Sequence, residues 1–254
     1  MTYSIVAREA GTGHLGVAVA SRFFAVGAVV PHIAGGVGAI ATQAFISPLY
    51  GTDGLEMLKA GASADEVVAA MTGRDEGAHS RQLHAIDARG GIAAFTGARC
   101  VDWAGHVAGE GVSVAGNMLA GPQVLEATLA AYVARGDLPF AERLLAAMEA
   151  GELAGGDRRG RQSAALRIHR GEAYPWIDIR ADDHGDPLAE LRRLLAVAGE
   201  RFLHVAETLP TAQDVSGMRD RSAIDLKIAE LEDRRIAEGR PSASFASGPR
   251  GVGD

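Results

Sequence analysis

"TYSIVAREAGTGHLGVAVAS", residues 2–21, holds two short apolar runs on either side of a glycine-bearing turn, "EAGTGH" (9–14). Runs this rich in Val, Ile and Ala, bounded by turn residues, predict a β-hairpin. Neither run alternates cleanly between apolar and polar, so the sheet they open must be covered on both faces, and helices must supply the cover. "GAVVPHI" (27–33) and "GAIATQAF" (38–45) continue the strand-like text. Two helices are expected next, over "SPLYGTDGLEMLKAG" (47–61) and "SADEVVAAMTG" (63–73), the second opening on Ser63 and Glu66 at capping-box spacing. The pattern then repeats. Strands in "RQLHAIDARGGIAAFTG" (81–97) and "VSVAGNML" (112–119) precede helices in "GPQVLEATLAAYVARG" (121–136) and "LPFAERLLAAMEAG" (138–151). A last strand pair, "SAALRIHRG" and "YPWIDIRADD", leads into the helix "DPLAELRRLLAVAGERFLHVAETL" (186–209). This order predicts an α+β protein with sheets sandwiched between helical layers. The core is expected to occupy residues 1–210, with an amphipathic helix and a flexible tail over 211–254.

Composition narrows the function. The chain has 254 residues, a net charge of -7 and only two lysines, Lys59 and Lys227, so no basic footprint for nucleic acid exists. One cysteine, Cys100, excludes an internal disulfide framework and a cysteine-built zinc site. No apolar run reaches the roughly 18 residues that cross a bilayer, and no charged leader precedes one, so a cytoplasmic protein without a membrane partner is expected. "GTGHLG" and "GVGAIA" lack the spacing of a phosphate cradle, and no H-E-x-x-H or G-x-S-x-G is present, so no cofactor is expected.

Four places could carry chemistry. Thr2 follows Met1, and a small second residue permits removal of the initiator; Thr2 is then either a β-branched strand starter or a nucleophile whose own α-amine takes the proton. With a reference pKa of about 7.7 to 8.0, that amine keeps a substantial neutral fraction at working pH. Arg22 ends the second strand, and the hairpin brings it beside Thr2, where it is either a surface arginine or a fixed cation supporting the site. Gly116 and Asn117 interrupt a strand before a helix, as a turn or as amide donors to an oxyanion. "GGDRRGRQS" (155–163) concentrates Asp157, Arg158, Arg159, Arg161, Gln162 and Ser163 between glycines and a core strand, as a solvated loop or as an orienting and anion-binding set. "DDHGD" (182–186) could attract a cation, but a solvated turn fits it better, and no metal is expected.

Together, "TYSIVAR", "LGVAVASRFFAVGAVVP", "GVGAIATQA", "RQL", "GARCVDWAGH", "GNMLAGP" and "AGGDRRGRQSAAL" resemble the domain-of-unknown-function 1028 family, assigned to the N-terminal nucleophile hydrolases. The resemblance runs from Thr2 to about Leu195. It implies a four-layer αββα sandwich, and it implies attack on an amide by an N-terminal Thr, Ser or Cys through an acyl-enzyme. On that likeness Thr2 matches the nucleophile, and Arg22 the arginine that bile-salt-hydrolase-like members keep near it. Asp157 and Ser163 match the Asp and Ser that support the threonine of proteasome subunits. Where proteasome-type members carry a lysine, "GAVVPHIAGG" has His32 and no lysine. The expected activity is hydrolysis of a small amide or ureide, carboxylate-bearing if Arg158, Arg159 and Arg161 bind it, by a homo-oligomer. The competing expectations are a non-catalytic ligand- or partner-binding protein on the same fold and a metal-assisted hydrolase built on "DDHGD".

Overall fold

The computed structural model describes residues 2–246. Met1 and residues 247–254, the latter part of the expected flexible tail, lie outside the described residues. The opening hairpin forms as predicted: β1 (Thr2–Arg8) pairs antiparallel with β2 (Leu15–Ser21), in a register that sets Thr2 opposite Ser21. After a short 3-10 turn come β3 (Pro31–Ala34) and β4 (Gly38–Ala44), then α1 (Pro48–Lys59) and α2 (Ala64–Gly73). Strands β5 (Arg81–Asp87), β6 (Ile92–Thr96), β7 (Gly105–Gly109) and β8 (Val112–Asn117) precede α3 (Gln123–Ala134) and α4 (Phe140–Leu153). The chain closes with β9 (Ser163–His169), β10 (Ile177–Ala181), α5 (Pro187–Glu200), α6 (Phe202–Ala206) and α7 (Ser222–Ala237).

Ten strands build two antiparallel sheets among the described residues, one ordered β10-β9-β2-β1-β8-β7 and the other β3-β4-β5-β6. Helices α1 and α2 cover the smaller sheet, α3 and α4 cover the larger, and the inner faces of the sheets pack on each other. The architecture is therefore a four-layer αββα sandwich. Its apolar middle explains why the strands read as apolar on both sides: Val6, Val17, Val19, Ala41 and Ile86 fill the space between the sheets, while Ile40, Leu83 and Ala85 face Leu58, Val67 and Met71 of the helical layer.

Local chemistry accounts for the element ends. Ser63 and Glu66 close a reciprocal capping box at α2, the Ser63 N–H donating to the Glu66 carboxylate at 2.7 Å. Gly51 and Gly54 cost α1 intrinsic helicity, but a Cβ on Gly51 would sit 2.1 Å from the His32 ring and one on Gly54 would sit 2.6 Å from Ile40. The glycines let α1 lie close on its sheet.

Two expectations need correction, and one strand was not expected. "GAVVPHI" is strand only from Pro31, because the turn at Val26–Ala28 uses its first half. Strand β7, rich in Gly and Ala at the sheet edge, carries too little β-branched text to be read in advance. The single helix over 186–209 breaks at Arg201, whose φ of -145° leaves the helical region.

The described residues divide into two compact units, the first ending at Leu191 and the second starting at Arg192. In the second, Glu200 accepts hydrogen bonds from the Ser242 hydroxyl and the Ala243 N–H, each at 2.7 Å, and Arg193 stacks on Phe245. Residues 242–245 are thereby tied to α5.

Candidate functional site

Cross-strand partners in a sheet share a face, so register alone lines up a row of polar side chains at one end of the larger sheet. Asn117 of β8 lies opposite Thr2 of β1, Thr2 opposite Ser21 of β2, and Ser21 opposite Ser163 of β9. Ser4, two residues into β1, shares this face and reaches across to the second sheet, donating to Gln43 Oε1 at 2.7 Å. The row therefore opens into the space between the sheets, at its end. Thr2 is only 5% exposed, and its Oγ1 lies 3.1 Å from Ser21 Oγ.

The amide of Asn117 donates to the Thr2 carbonyl at 3.5 Å and to Gln82 Oε1 at 3.2 Å. Gly116 and Asn117 are the last two residues of β8 and belong to the ladder, where an interrupted strand was expected. Gly116 is required by close approach: a Cβ there would sit 2.6 Å from Leu119 and 3.0 Å from Tyr3. Gln82, missed in the sequence reading, is the hub. It accepts from Gln43 and Asn117, and its own amide lies 2.9 Å from Thr96 Oγ1 and from the Gly105 and Gly116 carbonyls. Behind it, His84 bridges Ser4 at 2.8 Å and Ser113 at 3.0 Å. Burial drives the His84 pKa down to about 3, so the imidazole is neutral and its two nitrogens serve as one donor and one acceptor.

The loop "GGDRRGRQS" separates into parts with different partners. Asp157 is buried; its carboxylate accepts from the Arg22 N–H at 2.9 Å and the Arg159 N–H at 2.7 Å. An isolated bridge to Leu119 ties it to the chain just past Asn117. Asp157 thus pins the end of β2 to the end of β8 around Thr2. The fully buried Ser163 hydroxyl accepts from the Val26 N–H at 3.1 Å, which fixes the loop leaving β2.

The arginines depart from the expectation that all three face a substrate. Arg159 pairs with Asp157, and Arg161 lies 3.1 Å from Asp186 and 3.8 Å from Glu152. Gln162 donates its side-chain amide to Asp183 at 3.1 Å and its N–H to the Ser21 carbonyl at 3.0 Å. Arg158 is exposed and makes no hydrogen bond among the described residues. Arg22 follows Ser21 directly; its guanidinium is exposed and reaches the Arg161 carbonyl at 3.5 Å. Its backbone, more than its charge, is what meets the site. No group of three or more His, Cys, Asp or Glu among the described residues is placed to hold a metal ion, "DDHGD" included.

Backbone strain marks the same end of the molecule. The non-glycine residues with positive φ are Ala25 (52°), Ala44 (67°) and Met118 (54°), among the described residues. They lie just past β2, at the last residue of β4 and just past β8. A left-handed conformation costs a non-glycine residue about 1 to 2 kcal/mol, and such residues concentrate where function holds them.

The model of the family described as "Family of unknown function (DUF1028)" matches residues 2–191. A crystal structure of a DUF1028 protein from Silicibacter pomeroyi is 35% identical, with a TM-score of 0.80 over 86% of this chain and 96% of that one. Anbu, the ancestral beta-subunit, from Yersinia bercovieri aligns at 13% identity and a TM-score of 0.36, over 82% of this chain and 98% of that one. No curated protein matches. With the family model covering the whole sandwich and a solved member superposing on it, the chain belongs to the DUF1028 family.

Proposed function

We propose that the protein is an amidohydrolase of the N-terminal nucleophile type, acting through Thr2 once Met1 is removed. The observation that carries this reading is the position of the Thr2 hydroxyl, at the first residue of a central strand, 3.1 Å from Ser21 and opposite a side-chain amide. Removing Met1 turns the Thr2 nitrogen into a free amine on the same residue as the hydroxyl. In the proposed reaction Thr2 Oγ1 attacks the amide carbon as its proton passes to the α-amine. The carbonyl oxygen takes up negative charge that amide donors stabilise, and Asn117 is the donor nearest to hand. The C–N bond breaks, the α-amine returns the proton to the leaving amine, and water then cleaves the ester on Thr2. Ser21 orients the hydroxyl, while Asp157 and Ser163 hold the chain segments that frame it. Arg22 and Arg158 are the cations left to meet a substrate carboxylate.

The test is turnover of a panel of small amides and ureides by protein whose intact mass shows Met1 removed. Thr2→Ala is expected to abolish turnover and Ser4→Ala to leave the acyl adduct on Thr2. Retention of Met1 in fully active protein would overturn the reading, and activity lost on exhaustive chelation would favour a metal-assisted reaction.

A further inference from the structure

Most large apolar side chains of the first unit are buried, yet Phe23, Phe24, Phe45, Leu49 and Val101 are exposed, Phe45 to 75% and Phe24 to 63%. Their backbone positions place them around Thr2. Phe23 and Phe24 follow Ser21 and Arg22, and the Phe23 segment is held by Ser163. Phe45 continues β4 past Gln43, the residue bonded to Ser4; β4 runs toward this end while β1 starts from it, so Phe45 stands level with Thr2 on the opposite sheet. Leu49 lies in the first turn of α1, four residues on. The Val101 carbonyl accepts from the Met118 N–H at 2.9 Å, next to Asn117. The segments of Phe24 and Phe45 carry the left-handed residues Ala25 and Ala44, and the third left-handed residue, Met118, is the one bonded to the Val101 carbonyl.

We infer that Phe23, Phe24, Phe45, Leu49 and Val101 form the acyl-group subsite, so that the substrate is an amide with an apolar, medium-length acyl chain on its carbonyl side. The inference rests on the hydrolase proposed above. Exposed apolar side chains beside buried polar groups mark a binding site, and these leave segments that adjoin the row of polar groups around Thr2. Arg22 and Arg158 beside the same opening then meet a carboxylate on the amine side. The substrate class is an N-acyl amino acid or similar conjugate.

The experiment compares acetylglycine with 3-phenylpropanoylglycine by release of glycine, on protein lacking Met1. Burying the added benzyl portion is expected to raise kcat/KM by about 30-fold or more. Phe45→Ser and Phe23→Ser should each reduce that ratio by about tenfold, while Val133→Ser, an exposed position on α3, leaves activity unchanged. A wild-type ratio near one, or rim variants that change the oligomeric state and not the ratio, would overturn the inference and assign the rim to a subunit contact. In parallel, calorimetry on Thr2→Ala measures binding of both compounds without chemistry. Tighter binding of the phenylpropanoyl compound, lost in Thr2→Ala/Phe45→Ser, sustains the subsite even if the wild type hydrolyses neither, in which case the hydrolase alone fails. Equal or absent binding of the two sinks the subsite whatever the turnover.

Discussion

Thr2 is buried at its hydroxyl yet stands at the open end of the sheets, and each polar neighbour constrains it differently. Ser21 touches the hydroxyl, so Ser21→Ala should lower kcat by about tenfold to a hundredfold through loss of orientation, with KM little changed. Asn117 is the proposed oxyanion donor, and Asn117→Ala should cost about 10² to 10³ in kcat. Steady-state kinetics on one amide substrate checks both. His84 makes a separate claim on stability. Its pKa falls from 6.5 in the unfolded chain to about 3 in the folded one, so between those values the unfolded state binds a proton that the folded state refuses. Stability therefore falls as pH drops from 6.5 toward 3, by about 1.4 kcal/mol per pH unit from this residue. Urea unfolding at several pH values should show a shallower slope in His84→Gln, once normalised to its own stability near neutral pH. These side chains were unevenly legible. Thr2, Asn117 and Asp157 stood out because a polar residue at a strand end invites a role. Gln82 and His84 did not, because only the pairing of two sheets reveals that their side chains enter the space between them.

At the scale of elements, the strands and helices were readable wherever apolar text met a strong turn or cap, as in the opening hairpin and at Ser63. The failures have physical causes: β7 is an edge strand of small residues, and the only breaker near Arg201 is a single glycine, Gly199, inside an otherwise continuous helical pattern. The destination of the arginines was equally hidden, since Arg161 meets Glu152 and Asp186 only through folding. Two substitutions test how the elements are held. Helical glycine to alanine ordinarily gains stability, but Gly51→Ala should lose about 1 to 3 kcal/mol because the new methyl overlaps the His32 ring. Ala44→Gly should show the opposite sign, gaining up to about 1 kcal/mol by relieving a left-handed alanine. Thermal unfolding of both variants decides the matter, and a Gly51→Ala protein as stable as wild type would show that α1 can move away from β3.

Across the whole molecule, the inter-sheet space changes character along its length. Near Val6, Val17 and Ile86 it is apolar; toward Thr2 it becomes a hydrogen-bonded network that ends on the proposed nucleophile. Sheet pairing and site assembly are therefore one event: the Ser4–Gln43 and Asn117–Gln82 bonds that join the sheets also frame Thr2. This is why the fold was more legible than the site, because layers follow from periodicity and turns, whereas the network depends on register between strands distant in sequence. The most direct test of the central claim is mass spectrometry of the N-terminal peptide after incubating protein made in cells with an amide substrate and quenching in acid. The account predicts a peptide beginning at Thr2, with a fraction carrying the mass of the acyl group on Thr2. A peptide still bearing Met1 in protein that turns the substrate over, or an acyl group found on another residue, would contradict it.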